Sequence, residues 1–551
     1  MKLNKEQEEA IATREGAWCL KATAGAGKTL VLTDRVKALL CENQPINEIL
    51  ALTFTTEAAS EMQNRIGLTM NKSDRGGFRT FHSFGLKLIF AEKEYLRFKL
   101  DDNPFASSNG SKILRDVIKN RFGRRLAKKE MDELRGYISK AKRAAVKLPE
   151  TFDKEVLPPS QVAKWHTTFL QYDERMKKDG QIDYDDMIVE AVWLMEQLEI
   201  RARHQYKWVL CDEGQDTNSC QWRLLQLVSE LYGNVFVVGD ENQSVFQFQG
   251  SKPTNLSKFS EWFPGGKTLI LPENFRSSPQ VVKLSQRLAP IKNELTANMR
   301  TANPDGPEVS IVNYLGNEDE AENVLSIIQT LEGKSAVLAR TNSQIGLFET
   351  LATAQEIKFH LLGKTGWWKT PEIRNLMSLT HFVLGKDKAE SYPQRLVEPL
   401  RHSVRGLPAT ESLGRIISAA NLKDLYSDDD FAESDNYAID NLNGAIRIAG
   451  RFAFLAEFAA FAIRASKASR KNKSAITFGT IHSSKGLEFD NVYLVGVQEG
   501  KLPHEKSVDL HEERCVLYVG VSRAAKRLQI SYSGQRSRFL DELNEIKEVQ
   551  V

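Results

Sequence analysis

Cysteine is scarce in this chain, and its few copies are not spaced for a shared task. Cys19, Cys41, Cys211, Cys220 and Cys515 form no CxxC pair and have no histidines at zinc-finger distances. That excludes a zinc module and a disulfide framework, so free thiols in a reducing cytosol are expected. Long apolar runs are missing as well. The amino terminus, MKLNKEQEEA, is charged and lacks an apolar signal core, and the most apolar later run, Phe452 to Ile463, is short and carries Glu457. No membrane span is expected, and the expected location is cytoplasmic. An excess of one charge is also absent. With a formal net charge of only +3, any nucleic-acid surface has to come from local clustering. What remains, 41% hydrophobic and 27% charged residues, is the composition of an ordinary soluble globular protein, and 551 residues allow three or four domains with cores of their own.

One stretch organises the rest: Leu20 to Leu30, reading LKATAGAGKTL. The apolar run Trp18, Cys19, Leu20 predicts a strand, and Val31, Leu32, Val36, Leu39 and Leu40 predict a helix after the small-residue loop. Gly25 and Gly27 let the backbone curl so that successive N–H groups point at phosphate oxygens, with the positive end of the new helix behind them. Lys28 then neutralises the β- and γ-phosphates of a nucleotide and the Thr29 hydroxyl holds Mg²⁺. The first glycine of the GxxxxGK[ST] pattern is Ala22 here. A glycine-rich turn capping an ordinary helix is the alternative on this stretch alone.

Upstream, Gln7 carries an amide able to pair with both donor and acceptor on an adenine edge, although a surface glutamine is the default. Downstream, the apolar run of ILALTFTTEAASEM (49–62) predicts a buried strand ending at Thr53-Phe54-Thr55-Thr56 and then a helix. An aromatic at the carboxyl end of a parallel strand sits where α/β folds bind ligands, so Phe54 is either a base-stacking platform or core. Thr80-Phe81-His82-Ser83-Phe84 is a second strand end with groups suited to phosphate. Residues 91 to 180 are helical and strongly basic. Between residues 121 and 147, Arg121, Arg124, Arg125, Lys128, Lys129, Arg135, Lys140, Lys142, Arg143 and Lys147 are opposed only by Glu130, Asp132 and Glu133. A solvated helix face is the usual reading, but the excess favours a DNA-contacting insertion.

The α/β pattern returns at WVLCDEGQDTN (208–218), where an apolar strand runs into paired carboxylates. Asp212 suits Mg²⁺, and Glu213 suits orienting and deprotonating the attacking water. In VFVVGDENQSVFQFQGS (235–251), Asp240 and Gln243 follow a strand beside the γ-phosphate position. Phe246 and Phe248, two apart, are either core or stacking residues, and the polar Gln-Ser turn before them favours stacking.

In their order and extent these segments resemble the superfamily 1 DNA helicases of the UvrD/Rep/PcrA type. The resemblance rests on LNKEQ (3–7), ATAGAGKT (22–29), LTFTTEAASEM (52–62), TFHSF (80–84), DEGQDTN (212–218), VGDENQSVFQFQG (238–250), ENFRSS (273–278), LARTN (338–342), TIHSSKGLEFDNVYL (480–494) and EERCVLYVGVSRA (512–524). It implies an α/β fold of two RecA-like P-loop domains with parallel sheets, each carrying a mainly helical insertion. Residues 1–90 and 181–275 would form the first, with 91–180 its basic insertion; 276–375 and 471–551 would form the second, with 376–470 its shortened insertion. ATP and Mg²⁺ are the implied cofactors, and single-stranded DNA and its junctions with duplex the implied partner. Under the resemblance, residues 22 to 29 (Ala22, Thr23, Ala24, Gly25, Ala26, Gly27, Lys28, Thr29) cradle the nucleotide and Gln7 reads adenine. Arg35 and Phe275 sandwich its ring, and Glu488 contacts the ribose. Arg276 and Arg523 bring charge from the second domain onto the γ-phosphate, and Gln243 senses it. Phe54, Thr55, Thr80, His82, Phe246, Phe248 and His482 fall where the family touches DNA.

Three departures qualify that picture. Gln249 stands where the family usually has arginine. The second insertion is short, carries the acidic patch Asp428, Asp429, Asp430, Glu433 and Asp435, and its Arg405-Gly406-Leu407-Pro408 only loosely resembles a duplex-binding glycine hairpin. The chain stops soon after the last motif, with no nuclease domain expected beyond it. The expected activity is a 3′–5′ helicase, the polarity coming from resemblance alone. The alternative is a DNA-stimulated ATPase serving as sensor or regulatory subunit of a larger assembly.

Overall fold

Continuous apolar runs such as ILALT and VFVVG bury both faces of a strand, and they assemble accordingly in the computed structural model. It describes residues 3–67, 77–105, 107–148, 156–245, 251, 254–363, 366–385, 394–427, 438–467, 476–505, 507, 509–543 and 548–550. The chain falls into two units, Met1–Asn274 with Ile291–Met299, and Phe275–Pro290 with Arg300–Val551.

The first unit is built on six parallel strands: β1 (Ala17–Ala22), β2 (Ile49–Thr53), β3 (Gly77–Thr80), β4 (Trp208–Cys211), β5 (Val235–Gly239) and β6 (Lys267–Leu271), in the order β3-β2-β4-β5-β1-β6. Alternate residues feed two cores. Cys19, Leu50, Leu52 and Val237 face one with Phe81 and Trp222, whereas Leu20, Ala51, Phe236 and Val238 face the other with Val31, Leu32 and Val36. Between β3 and β4 the helices Ser107–Phe122, Lys128–Ala144 and Pro159–Lys178 close on a core of their own around Leu134, Tyr137 and the fully buried Trp165.

The second unit has seven parallel strands: β7 (Ser310–Asn313), β8 (Ser335–Ala339), β9 (His360–Leu361), β10 (Ile476–Thr480), β11 (Phe489–Leu494), β12 (Ala524–Tyr532) and β13 (Glu548–Gln550), in the order β13-β7-β12-β11-β8-β10-β9. Helices from Pro371–Val383 to Leu455–Lys467 share a separate core that includes Trp367, Trp368, Leu442 and Phe458. Two parallel-sheet α/β units are therefore present, as the motifs implied.

The division differs from expectation in two places, the smaller being Phe275, which opens the second unit instead of closing the first. Ile291–Met299 belongs to the first unit, not to a continuous second one. Asn242, buried at the end of β5, explains it: its Oδ1 accepts the Ile291 N–H at 2.7 Å, a contact between residues far apart in sequence. The acidic patch Asp428 to Asp435 lies outside the described residues. None of the five cysteines, all of them among the described residues, is in a disulfide.

Candidate functional site

The loop after β1 is forced into shape by glycine. Gly25 and Gly27 take φ of +73° and +82°, and a Cβ on Gly27 would lie 2.8 Å from Gln7 Nε2. Ala22, Thr23, Ala24 and Ala26 are buried, and the Thr23 N–H donates to Leu271 O on β6, fixing the loop to the sheet. The helix Lys28–Cys41 starts without a side-chain cap, which leaves its first N–H groups for another acceptor. Lys28 completes the cradle. Its ammonium is buried, has no hydrogen-bond partner among the described residues, and lies 3.9 Å from Asp240 Oδ2. A buried cation left this way is costly, and an anion such as a phosphate chain would satisfy it.

Three carboxylates stand at the neighbouring strand ends, because β4, β5 and β1 are adjacent. Asp212 is buried, and its Oδ1 accepts the Glu213 N–H at 3.0 Å. Glu213 takes a left-handed φ of +53°, a conformation disfavoured for a side-chain-bearing residue and concentrated at functional sites. Its Oε2 accepts Gln215 Nε2 at 2.5 Å, and Gln215 Oε1 accepts the Asp240 N–H at 3.0 Å. Asp240 Oδ2 in turn accepts Gln243 Nε2 at 2.6 Å. Burial pushes the Asp240 carboxyl above its usual range, while Lys28, Gln243 and the Asn242 N–H oppose it. Among the described residues no three His, Cys, Asp or Glu side chains converge to hold a metal. Mg²⁺ entering on phosphates does not need such a cage; one carboxylate and one hydroxyl, as Asp212 and Thr29 supply, fit its habits.

Gln7 and Arg35 meet different fates. Gln7 is buried, accepting the Asn4 N–H on Oε1 and donating from Nε2 to Ala26 O at 3.0 Å, which leaves its amide one donor and one acceptor for another group. Arg35 cannot sandwich a nucleotide ring. It lies on the buried stripe of its helix with Val31, Leu32, Val36 and Leu39, about 10 Å along the axis from Lys28. Its guanidinium donates to Ala10 O, Thr13 O, Thr13 Oγ1 and Arg14 O and stacks 4.3 Å over Phe236. Burial, with Arg14 nearby, lowers its pKa.

In the second unit, Arg276, Glu488 and Arg523 come together at the entry to β11 and β12. Arg276 donates from Nε to Glu488 Oε2 at 2.9 Å and from Nη1 to Ser522 O at 3.0 Å. Arg523 is buried and donates to Val519 O, Leu487 O and Ser522 Oγ. Ser522 thus ties both arginines, a link no motif spacing announced. Phe275, beside them, is half-buried.

The residues expected at DNA occupy strand ends. Phe54 follows β2 and is half-buried; Thr55 and Thr80 accept the Ala58 and Ser83 N–H groups as helix caps, each keeping its own hydrogen to donate. His82 packs edge-on against Tyr184 at 5.7 Å, and burial, opposed by Asp185, lowers its pKa. His482 is half-buried in the turn after β10. Phe246, Phe248 and Gln249 lie outside the described residues.

The basic run needs correction. Lys142 is buried, 2.6 Å from Asp183 and 2.8 Å from Asp186, and Arg143 pairs with Asp185. Counting acids only inside the interval missed these three, which open the helix Tyr184–Glu196. Arg124 is exposed but forked onto Glu130 at 2.8 and 2.9 Å, whereas Arg125 is exposed.

Comparison with known families matches the UvrD/REP helicase N-terminal domain over residues 3–264 and the UvrD-like helicase C-terminal domain over 269–445 and 421–535. The chain belongs to the UvrD/REP helicase family. Relatives include DNA helicase II of Salmonella typhimurium LT2, 26% identical in an alignment covering 100% of this chain and 88% of that protein. ATP-dependent DNA helicase PcrA of Bacillus subtilis 168 is 26% identical over 98% and 83% of the two chains. ATP-dependent DNA helicase Rep of Escherichia coli K12 is 27% identical over 98% and 92%. In this member of the family, no helix among the described residues is long and apolar enough to cross a membrane.

Proposed function

We propose that this UvrD/REP family member is an ATP-driven DNA helicase that moves 3′ to 5′ on single strands and acts at junctions with duplex. The observation that carries the ATP half is the buried Lys28 ammonium at an uncapped helix start, without a hydrogen bond among the described residues and 3.9 Å from the Asp240 carboxylate. The helicase half draws on the names of the relatives, two of which are ATP-dependent DNA helicases.

The loop N–H groups and Lys28 hold the β- and γ-phosphates, and Gln7 offers its remaining donor and acceptor to adenine, with Phe275 against the ring and Glu488 toward the ribose. Thr29 and Asp212 would hold Mg²⁺, which when bound neutralises charge on the phosphate oxygens. Glu213 accepts the proton of the attacking water, Gln243 follows the γ-phosphate, and Arg276 and Arg523 oppose charge in the transition state. Phe54, Phe246 and Phe248 stack bases, while Thr55, Thr80, His82 and His482 take backbone contacts.

The test pairs an ATPase assay with strand displacement on duplexes bearing a 3′ or a 5′ single-stranded tail. Displacement of the 3′-tailed substrate alone is expected. Preference for the 5′ tail would refute the polarity, and DNA-stimulated hydrolysis with no displacement would replace the helicase by a DNA-sensing ATPase subunit. The loss of Lys142 and Arg143 from the basic surface is what favours that second reading.

A further inference from the structure

We propose that Gln215 is the positioning residue for Glu213, and that it makes the orientation of that carboxylate depend on the strand end carrying Asp240. The inference rests on the reading of Glu213 as the group that takes the water proton. Gln215 is fully buried, and one planar amide is engaged at both ends: Nε2 donates to Glu213 Oε2 at 2.5 Å and Oε1 accepts the Asp240 N–H at 3.0 Å. Its backbone carbonyl also accepts from Ser244 Oγ at 3.4 Å. The fit against β5 is close. A Cβ on Gly239 would lie 2.6 Å from Gln215 Oε1, so the amide rests directly on the strand's last residue.

The chemistry of the residue type matters here. A carboxylate needs a donor and a backbone N–H needs an acceptor, and only a side-chain amide offers both on one rigid plane at this length. Glutamate would keep the acceptor and set a second carboxylate against Glu213; methionine would keep the volume and lose both bonds. The consequence for the site is mechanical. Asp240 also accepts from Gln243 and lies 3.9 Å from Lys28. Phosphate arriving at Lys28 competes with Asp240 for the ammonium, and any shift of Asp240 is passed by its N–H through Gln215 to Glu213.

The test uses the full chain with Q215M, Q215E and E213Q, measuring DNA-stimulated kcat, the KM for ATP, binding of a fluorescent nucleotide, and hydrogen exchange at the Asp240 amide. Q215M and Q215E are expected to bind nucleotide within twofold of the parent while kcat falls by about a hundredfold, the scale of a misplaced reacting group. Q215M should speed exchange at Asp240, and Q215E, which keeps the acceptor, should not. If Q215M fails to fold, Q215E decides. Should E213Q be inactive while either Gln215 variant keeps kcat within twofold, the positioning role is overturned. A fully active E213Q would instead overturn the reading of Glu213 on which the proposal stands.

Discussion

Replacing Lys142 with methionine separates two accounts of the basic insertion. As a DNA-facing residue it would contribute one phosphate contact and nothing to stability. The structure instead has its side chain 2% exposed, with Nζ 2.6 Å from Asp183 Oδ2 and 2.8 Å from Asp186 Oδ2, and with the Tyr172 hydroxyl donating to Asp183 Oδ2 at 3.2 Å. Methionine keeps the apolar stem and removes only the charge, leaving buried Asp186 and partly exposed Asp183 without their cation, at a cost of about 3 kcal/mol, the low end of the buried-pair range. The pH dependence follows from the same geometry. Burial pushes the Asp186 carboxyl up to about 8 from its usual 3.8, Asp183 adds to the rise and Lys142 opposes it. Asp186 is raised already with Lys142 in place, and losing the opposing charge raises it further, so the folded variant binds more protons than the unfolded chain, whose aspartates titrate near 3.8. Stability therefore falls as pH rises from that value through the raised one, by up to about 1.4 kcal/mol per pH unit for each extra proton. Urea unfolding at pH 6 and pH 8, with hydrogen exchange over the helix Lys128–Ala144, should show a large loss that is worse at pH 8. The salt dependence of DNA binding should keep its slope. A variant as stable as the parent, with the slope reduced by about one, would refute the buried-anchor account.

Lys28→Ala should abolish hydrolysis and weaken nucleotide binding, whereas Glu213→Gln should bind nucleotide and fail to turn over; equilibrium binding beside steady-state ATPase reads both. Arg35→Met should cost about 2–4 kcal/mol of stability through its lost buried hydrogen bonds while the KM for ATP stays within twofold, and a KM raised tenfold in a stable variant would restore its role at the ring. Arg125→Ala should lower the salt slope of DNA binding by about 0.9, and Arg124→Ala by less because Glu130 already holds that guanidinium.

Much of the fold was legible because strands buried on both faces must be apolar throughout. ILALT, WVLC and VFVVG announce themselves, and glycine at 25 and 27 marks a loop that nothing larger can form. The failures share a cause of their own. Arg35 is charged and two turns past the phosphate loop, yet the helix period carries it into the core beside Phe236, where backbone carbonyls satisfy it. Lys142 looked exposed because its acids come from another segment, and Ile291–Met299 rejoins the first unit through one asparagine, Asn242. Gln215 was overlooked inside DEGQDTN because an amide's value depends on what stands at both of its ends, and one of those ends is in another strand.

Strand order is what converts separate motifs into one site. Parallel neighbours are joined by long crossovers, so no local turn signal records which strands will lie together. Here β5 pairs with both β1 and β4, with Lys21 level with Gly239 and Cys211 level with Val237. The chain leaves all three strands at the same edge of the sheet, and the next residues are the phosphate loop, Asp212 with Glu213, and Asp240 with Gln243. Central β5 therefore holds the acid that meets both neighbours: Asp240 faces Lys28 across one strand boundary and grips Gln215 across the other. A perturbation at either flank has to pass through it. On the proposed reading, that position makes Asp240 the residue through which phosphate at Lys28 would bear on the orientation of Glu213.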